Sequence, residues 1–349
     1  MITYRLATTE DNEQLIRLTA AAGMNGETIL RIDRRPDFFK LLEKRGESLV
    51  HIALDGNTIV GSLCASRQAV YVGGEIFPVY YIGDFKVMPS HRNMGIGLEL
   101  CNRLAENLIS RGADLAFLNV SRGNERPFIF FKNRSGIPDF DSVGTFHVHQ
   151  FIGRKQKPDL EDLKEETRIS GELVSFLNSY YARYELGPVI REENLAGLQI
   201  FTVRRNHQIQ AVMCLSDTMH LKQNVIMKLS LSLQWQLRLL NGFHRILGIS
   251  RMPALHKPVN LLYIKYLAAD PCDKNLVKGL VRSAMNIAYQ KSYSFASIGL
   301  HENDPLQDCF GGLFKMTFHS VGLLVSMQDN RQLVDKIKTG VPFEDYSLV

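Results

Sequence analysis

The sequence predicts an α/β (α+β) chain of two tandem domains, each a mixed, mostly antiparallel sheet flanked by helices. Three observations carry this. A chain of 349 residues, 45% of them hydrophobic, exceeds one ordinary core, and the polar, charge-dense stretch IGRKQKPDLEDLKEETR interrupts it near residue 155. Before that stretch, period-two and 3.6-residue apolar patterns follow one another as strand, helix, hairpin, strand, glycine turn, helix and strand. After it, much of that order returns. The expected units are therefore 1–155 and 156–349.

TYRLA is the first strand. The helix after it has Thr8 or Thr9 at its cap and Glu10 and Asp11 in its first turn, where the helix dipole favours anions, with Leu15, Ile16 and Leu18 on the apolar face. HIALDGNTIVGSLCASRQAVYV alternates around Asp55-Gly56, a dipeptide suited to a tight hairpin. VYYIGDFKV reads as a strand ending at Pro89. Leu100, Cys101, Leu104, Leu108 and Ile109 then recur at helical spacing up to Arg111-Gly112, and LAFLNV is the next strand.

A net charge of +5 with mixed signs and no polybasic tail gives no nucleic-acid footprint. No apolar run approaches the ~20 residues of a membrane span, so no membrane partner is expected. The start of the chain lacks a secretory pattern. Five scattered cysteines, Cys64, Cys101, Cys214, Cys272 and Cys309, predict reduced, buried thiols, no metal site and a cytoplasmic setting. His147 and His149 share one strand face without a nearby carboxylate or cysteine, which makes ordinary histidines the better reading. His91 is expected to be solvated.

VMPSHRNMGIGLEL, residues 87–100, is the stretch that points to chemistry. A glycine turn feeding a helix N-terminus directs backbone N–H groups outward in a region of positive dipole, which suits a pyrophosphate, and a Cβ at 95 or 97 would hold the phosphate off. The stretch resembles the acyl-CoA signature of the GNAT superfamily of N-acetyltransferases, with Arg92, Gly95 and Gly97 in the signature positions after the V-x-P exit of a strand. RLATTED is similar to that family's first strand and helix, and the likeness covers roughly residues 1–150. It implies that the backbone of Arg92, Asn93, Met94, Gly95, Ile96, Gly97 and Leu98 holds the pyrophosphate. Phe85 and Val87 would serve the acyl carbonyl and the pantetheine arm, and Asn124 the pantetheine.

By the same resemblance the reaction is acetyl transfer from acetyl-CoA to a primary amine, with a small-molecule or peptide acceptor and no metal. Such transfer needs a neutral amine, a donor for the carbonyl oxygen and a proton for the departing thiolate. Asp84 and Phe85 are the catalytic candidates: Asp84 to draw in a cationic amine or take its proton through water, or else to serve as a strand-end carboxylate bonded to backbone. Glu75 is a weaker candidate. Where the family often has a tyrosine, seven residues after the asparagine, this chain has Phe131, and one extra residue precedes Gly136; a water or a hydroxyl such as Ser121 would protonate the thiolate.

In the second half, LQIFTVRRNHQIQAVMCLSDT reads as a hairpin, LLYIKYLAADP as a strand, and Leu276, Val277, Leu280, Val281, Ala284 and Ile287 as a helix face. Setting Pro271 on Pro89 aligns Lys274 with Arg92, Val277 with Gly95 and Gly279 with Gly97. The cradle is then lost, and Asp270 and Asp273 would repel a pyrophosphate. The second unit is expected not to bind CoA. Residues 221–250 have no first-half counterpart and read as one or two amphipathic helices, either a lid or partner face or a cover for the second core. The alternative function is a CoA-binding sensor or scaffold with weak or no turnover. The acceptor, the acyl length and a homodimer stay open.

Overall fold

The computed structural model describes residues 1–21, 29–124, 138–157, 159–328 and 330–349. Fifteen strands and eight helices are seen in these residues. The strands are β1 Ile2–Leu6, β2 Ile29–Asp33, β3 Glu47–Asp55, β4 Thr58–Val72, β5 Glu75–Val87, β6 Leu115–Ser121, β7 Phe140–Ile152, β8 Leu163–Glu166, β9 Gly187–Pro188, β10 Gln199–Arg205, β11 Gln208–Asp217, β12 Gln223–Lys228, β13 Leu261–Ala268, β14 Phe295–His301 and β15 Lys315–Ser326. The helices are α1 Asn12–Ala21, α2 Phe39–Arg45, α3 Ile96–Ser110, α4 Gly171–Tyr181, α5 Glu192–Leu195, α6 Leu231–Leu247, α7 Lys274–Gln290 and α8 Arg331–Thr339.

One sheet runs β1-β3-β4-β5-β6-β15-β7-β14-β13-β11-β10-β8, with β9 beside β4, while β12 pairs β2 separately. Its order is symmetric about the β15–β7 ladder. On each side a hairpin (β3–β4, β10–β11) leads to a strand whose next neighbour is parallel, β5 with β6 and β13 with β14. A helix, α3 or α7, makes each parallel crossover, as parallel pairing requires. The halves exchange strands at the centre: β15 pairs β6 through Val321 and Val120, and β7 pairs β14 through His149 and Ile298. Leu100, Leu104 and Leu108 pack α3 on β3–β5, and Val277, Leu280 and Val281 pack α7 on the matching strands.

Several expectations change. The charge-dense stretch after residue 155 does not merely link two units: it contains edge strand β8, antiparallel to β10, and the first helix beyond it among the described residues is α4, capped by Ser170. Residues 221–250 hold strand β12 and a single helix, α6. Val277 does not take the place that Gly95 has at a helix cap: it is fully buried inside α7, whose cap is Asp273. Cys272 is exposed, whereas Cys64, Cys214 and Cys309 are buried, and all five thiols are free. No helix among the described residues is long and apolar enough to cross a membrane.

Candidate acyl-CoA site and adjoining cavity

β5 and β6 pair only from Val79–Leu115 to Tyr81–Phe117, yet β5 continues to Val87 and β6 to Ser121. The strands therefore part, and the parting opens toward the head of α3. There the backbone turns left-handed at Asn93 (φ 65°) and again at Gly95 (φ 78°), the cap of α3. Left-handed residues within such a turn aim successive N–H groups to one side, an anion nest at the positive end of a helix. Arg92, Asn93, Met94 and Gly95 are exposed, whereas Ile96 is buried and anchors the first turn.

The two glycines serve different ends. A Cβ at Gly95 would meet nothing within 4 Å, so that side of the turn is open for a ligand. A Cβ at Gly97 would come within 2.9 Å of Phe85 Cζ. Besides its place in the turn, Gly97 thus lets α3 pack closely on β5.

Asp84 sits at a β-bulge. The β4–β5 register shifts between Ser62–Lys86 and Cys64–Gly83, and Asp84 takes φ 52° there. Such a bulge re-aims a side chain, and aspartate tolerates the left-handed region better than most residues. The carboxylate meets Arg34 Nη1 at 2.9 and 3.1 Å, with Arg45 Nη1 at 3.9 Å. Arg34 also donates to Phe38 O (2.7 Å) and lies over the Phe38 ring, and Arg45 donates to Leu348 O (2.7 Å) and lies over Tyr81. Ser62 Oγ donates to the Asp84 carbonyl at 3.0 Å. Burial, the largest influence, would raise the Asp84 pKa, but Arg34, Arg45 and Lys86 together hold it below the ordinary value. A carboxylate so held is a weak base.

A cavity of about 750 Å³ adjoins the cleft. It is lined by Asp84, Phe85, Asn119, Ser121 and Asn124 from the cleft side and by Leu261, Phe295 and Met316 from the other half, with Leu233 and Leu237 of α6 above. Phe85, which also touches Gly97, joins cradle to cavity. Lys86 and Lys222 belong to its wall. Burial lowers the pKa of both, that of Lys222 to about 7, with Arg45 and Arg34 adding to the effect on Lys222. Lys222 Nζ donates to Val349 O.

Other candidates lie apart. Glu75 opens β5, nine positions from Asp84 and so about 30 Å along the strand. His91 bonds Ser90 and Asp55. His149 is buried between Thr317 and Gln307, and no group of His, Cys, Asp or Glu suited to a metal occurs among the described residues. Phe131 and Gly136 lie outside the described residues. Sequence reasoning missed Arg34 and Arg45; the density of charge in RIDRRPD was a signal for Arg34, and Arg45, in LLEKRGE, had none.

A parted parallel pair beside a glycine-turn helix cap defines a GNAT fold. Residues 3–124, about a third of the chain, match the family model described as an acetyltransferase (GNAT) domain. Acetyl transferase GW6a of Oryza sativa subsp. japonica is 28% identical over 133 residues, 36% of this chain and 30% of that protein, so the match spans under a third of the relative's length. Among solved structures, Saccharomyces cerevisiae N-myristoyltransferase with bound myristoyl-CoA superposes over 93% of this chain and 79% of its own, with TM-score 0.62 and 12% identity. A GCN5-related N-acetyltransferase from Anabaena variabilis superposes over 94% and 73%, with TM-score 0.54 and 11% identity. These structural likenesses are likenesses of fold.

Proposed function

We infer that the chain transfers an acyl group, acetyl in the simplest case, from CoA to a primary amine. The reading rests on the open left-handed cradle at Gly95 at the head of α3, beside the parted β5 and β6. CoA supplies an activated thioester. Arg92, Asn93, Met94, Gly95, Ile96, Gly97 and Leu98 would hold its pyrophosphate, Val87 and Asn124 its pantetheine arm, and Phe85 the acyl carbonyl through its main chain. In this reading 1–155 is the working unit and 156–349 completes the acceptor cavity without binding CoA.

Asp84 then acts as a positioning residue. Gripped by Arg34, it fixes the bulge that sets Phe85. The amine needs no dedicated base to arrive neutral, because apolar walls and the cationic Arg45 disfavour an ammonium in the cavity, as the lowered pKa values of Lys86 and Lys222 in the same wall illustrate. The test is thiol release from acetyl-CoA across a panel of amines. Steady release with any acceptor supports transfer; CoA binding without release in every case supports the sensor reading instead.

The cavity volume favours one second reading, a donor longer than acetyl. Each methylene buried there would tighten binding about fourfold. Affinity that is flat from acetyl-CoA to octanoyl-CoA would remove it.

A further inference from the structure

Helix α6 presents two apolar faces. Leu233, Leu237 and Leu240 turn inward onto the core beneath, and the first two close the cavity. Leu231, Trp235, Leu239, Phe243 and Ile246 form a second stripe, each between 55% and 83% exposed. Their spacing of three to four residues puts them on one side of the helix, and a lid over a core has no use for that outer stripe.

The segment that carries the stripe has charge of one sign. From residue 218 to residue 269 the sequence has seven Lys and Arg and not one Asp or Glu. Five of these cations, Lys228, Arg238, Arg245, Arg251 and Lys257, are exposed. Arg238 and Arg245, seven residues apart, flank the stripe, and neither takes part in an ion pair among the described residues. Exposed Arg154 and Lys155 join them at the end of the helix, where Lys155 N donates to Gly248 O at 2.8 Å.

We propose that α6 lies flat on an anionic lipid bilayer, its Leu231–Ile246 stripe sunk into the headgroup boundary and its arginines among lipid phosphates and carboxylates. An exposed apolar stripe flanked by exposed cations is the pattern of a helix that rests on a membrane without crossing it. A second copy of the chain fits less well, since a self-paired face would set Arg238 and Arg245 against the same charges with no carboxylate to answer them. The absence of a long apolar run excludes a helical span and not this mode of contact, which needs none. The membrane is also where an apolar substrate for the cavity beneath would be found.

Trp235 is the only tryptophan of the chain and lies on the stripe, so its emission reports the contact directly. The full chain would be titrated with vesicles of phosphatidylcholine alone and with about 30% phosphatidylserine, followed by Trp emission and co-sedimentation. Expected are a blue shift and sedimentation with the anionic vesicles, both reduced by salt. Arg238→Gln with Arg245→Gln should weaken binding about 25-fold, at about fivefold per charge. Leu239→Asp with Phe243→Asp should abolish the shift while circular dichroism and CoA affinity stay as in the wild type. The proposal is overturned by unchanged emission with no sedimentation, by equal binding to both vesicles, by a shift that needs only more protein, or by a shift with polyglutamate and none with vesicles.

Discussion

The carboxylate of Asp84 and the guanidinium of Arg34, fifty residues apart in sequence, meet at 2.9 Å in the wall where the GNAT cleft opens into the large cavity. Both side chains are more than nine-tenths buried, so neither charge can turn to water if the other is removed. Arg34→Met should destabilise the fold by about 3–5 kcal/mol, the usual penalty of a stranded buried charge. Adding Asp84→Asn should recover much of that loss. Urea unfolding of the two single mutants and the double mutant measures the coupling; additive losses would mean that the pair is not coupled.

The same ion pair sets the expectation for catalysis. With its pKa held low, Asp84 is ionised throughout the working range, so its titration should not shape the rate near neutrality. Asp84→Asn should lower transfer by disturbing the bulge but keep the pH–rate profile, whose acidic limb should follow the pKa of the acceptor amine. Loss of that limb in the mutant would restore Asp84 as the base.

Gly95 and Gly97 should fail in different ways. Gly95→Ala puts a methyl into open space at φ 78°, which costs about 1–2 kcal/mol of backbone strain and obstructs the anion nest. CoA affinity should fall by more than stability does. Gly97→Ala drives a methyl against Phe85, so stability should suffer first, and Phe85→Leu should relieve it. Calorimetry with CoA beside thermal unfolding separates the two; identical behaviour would merge their roles.

What the sequence shows here is what is local. The Asp55–Thr58 hairpin, the β5 strand and α3 with its stop at Gly112 follow from alternation, helical spacing and glycine within short windows. The central exchange is invisible because Val321 pairs with Val120 across two hundred residues, and nothing in either strand names its partner. Arg34 and Arg45 are hidden for the same reason: a buried ion pair has no period. The mistaken place of Val277 has a simpler cause. Counting from the proline assumes turns of equal length, but α7 begins three residues after Pro271 and α3 seven after Pro89.

His149 should make the protein acid-sensitive. Its neutral ring accepts from Thr317 Oγ1 (2.9 Å) and donates to Gln307 Oε1 (2.7 Å), and burial brings its pKa down to about 4 against the Gln307 bond. Between about 6.5 and 4 the unfolded chain binds a proton that the folded one refuses, so stability falls as the pH drops through that window and levels below it. The loss should be on the order of 2–3 kcal/mol. His149→Leu forfeits two hydrogen bonds at every pH, but its deficit against wild type should shrink toward pH 4. A deficit that is constant with pH would mean that His149 does not titrate in this way.

One CoA should bind per chain, although two parallel strand pairs each feed a helix. At the first, the head of α3 is capped by a glycine with open space before it. At the second, Asp273 caps α7 and its carboxylate already accepts from Leu276 N at 3.0 Å, while Asp270 accepts from Cys272 N at 2.9 Å. The donors a pyrophosphate would need are thus answered from within, and two carboxylates flank the place where it would lie. Like charges at about 6 Å and an effective dielectric near 20 set a barrier of several kcal/mol against a polyanion. Asp273→Gly would remove one charge and the cap's side-chain bond together, leave Asp270 in place and destabilise α7 by only about 0.3 kcal/mol, so the variant should fold and still not create a second site. Calorimetric titration of the full chain with CoA reads the answer: a stoichiometry near one for wild type and mutant alike is expected, and a value near two for wild type would make the second half a working site.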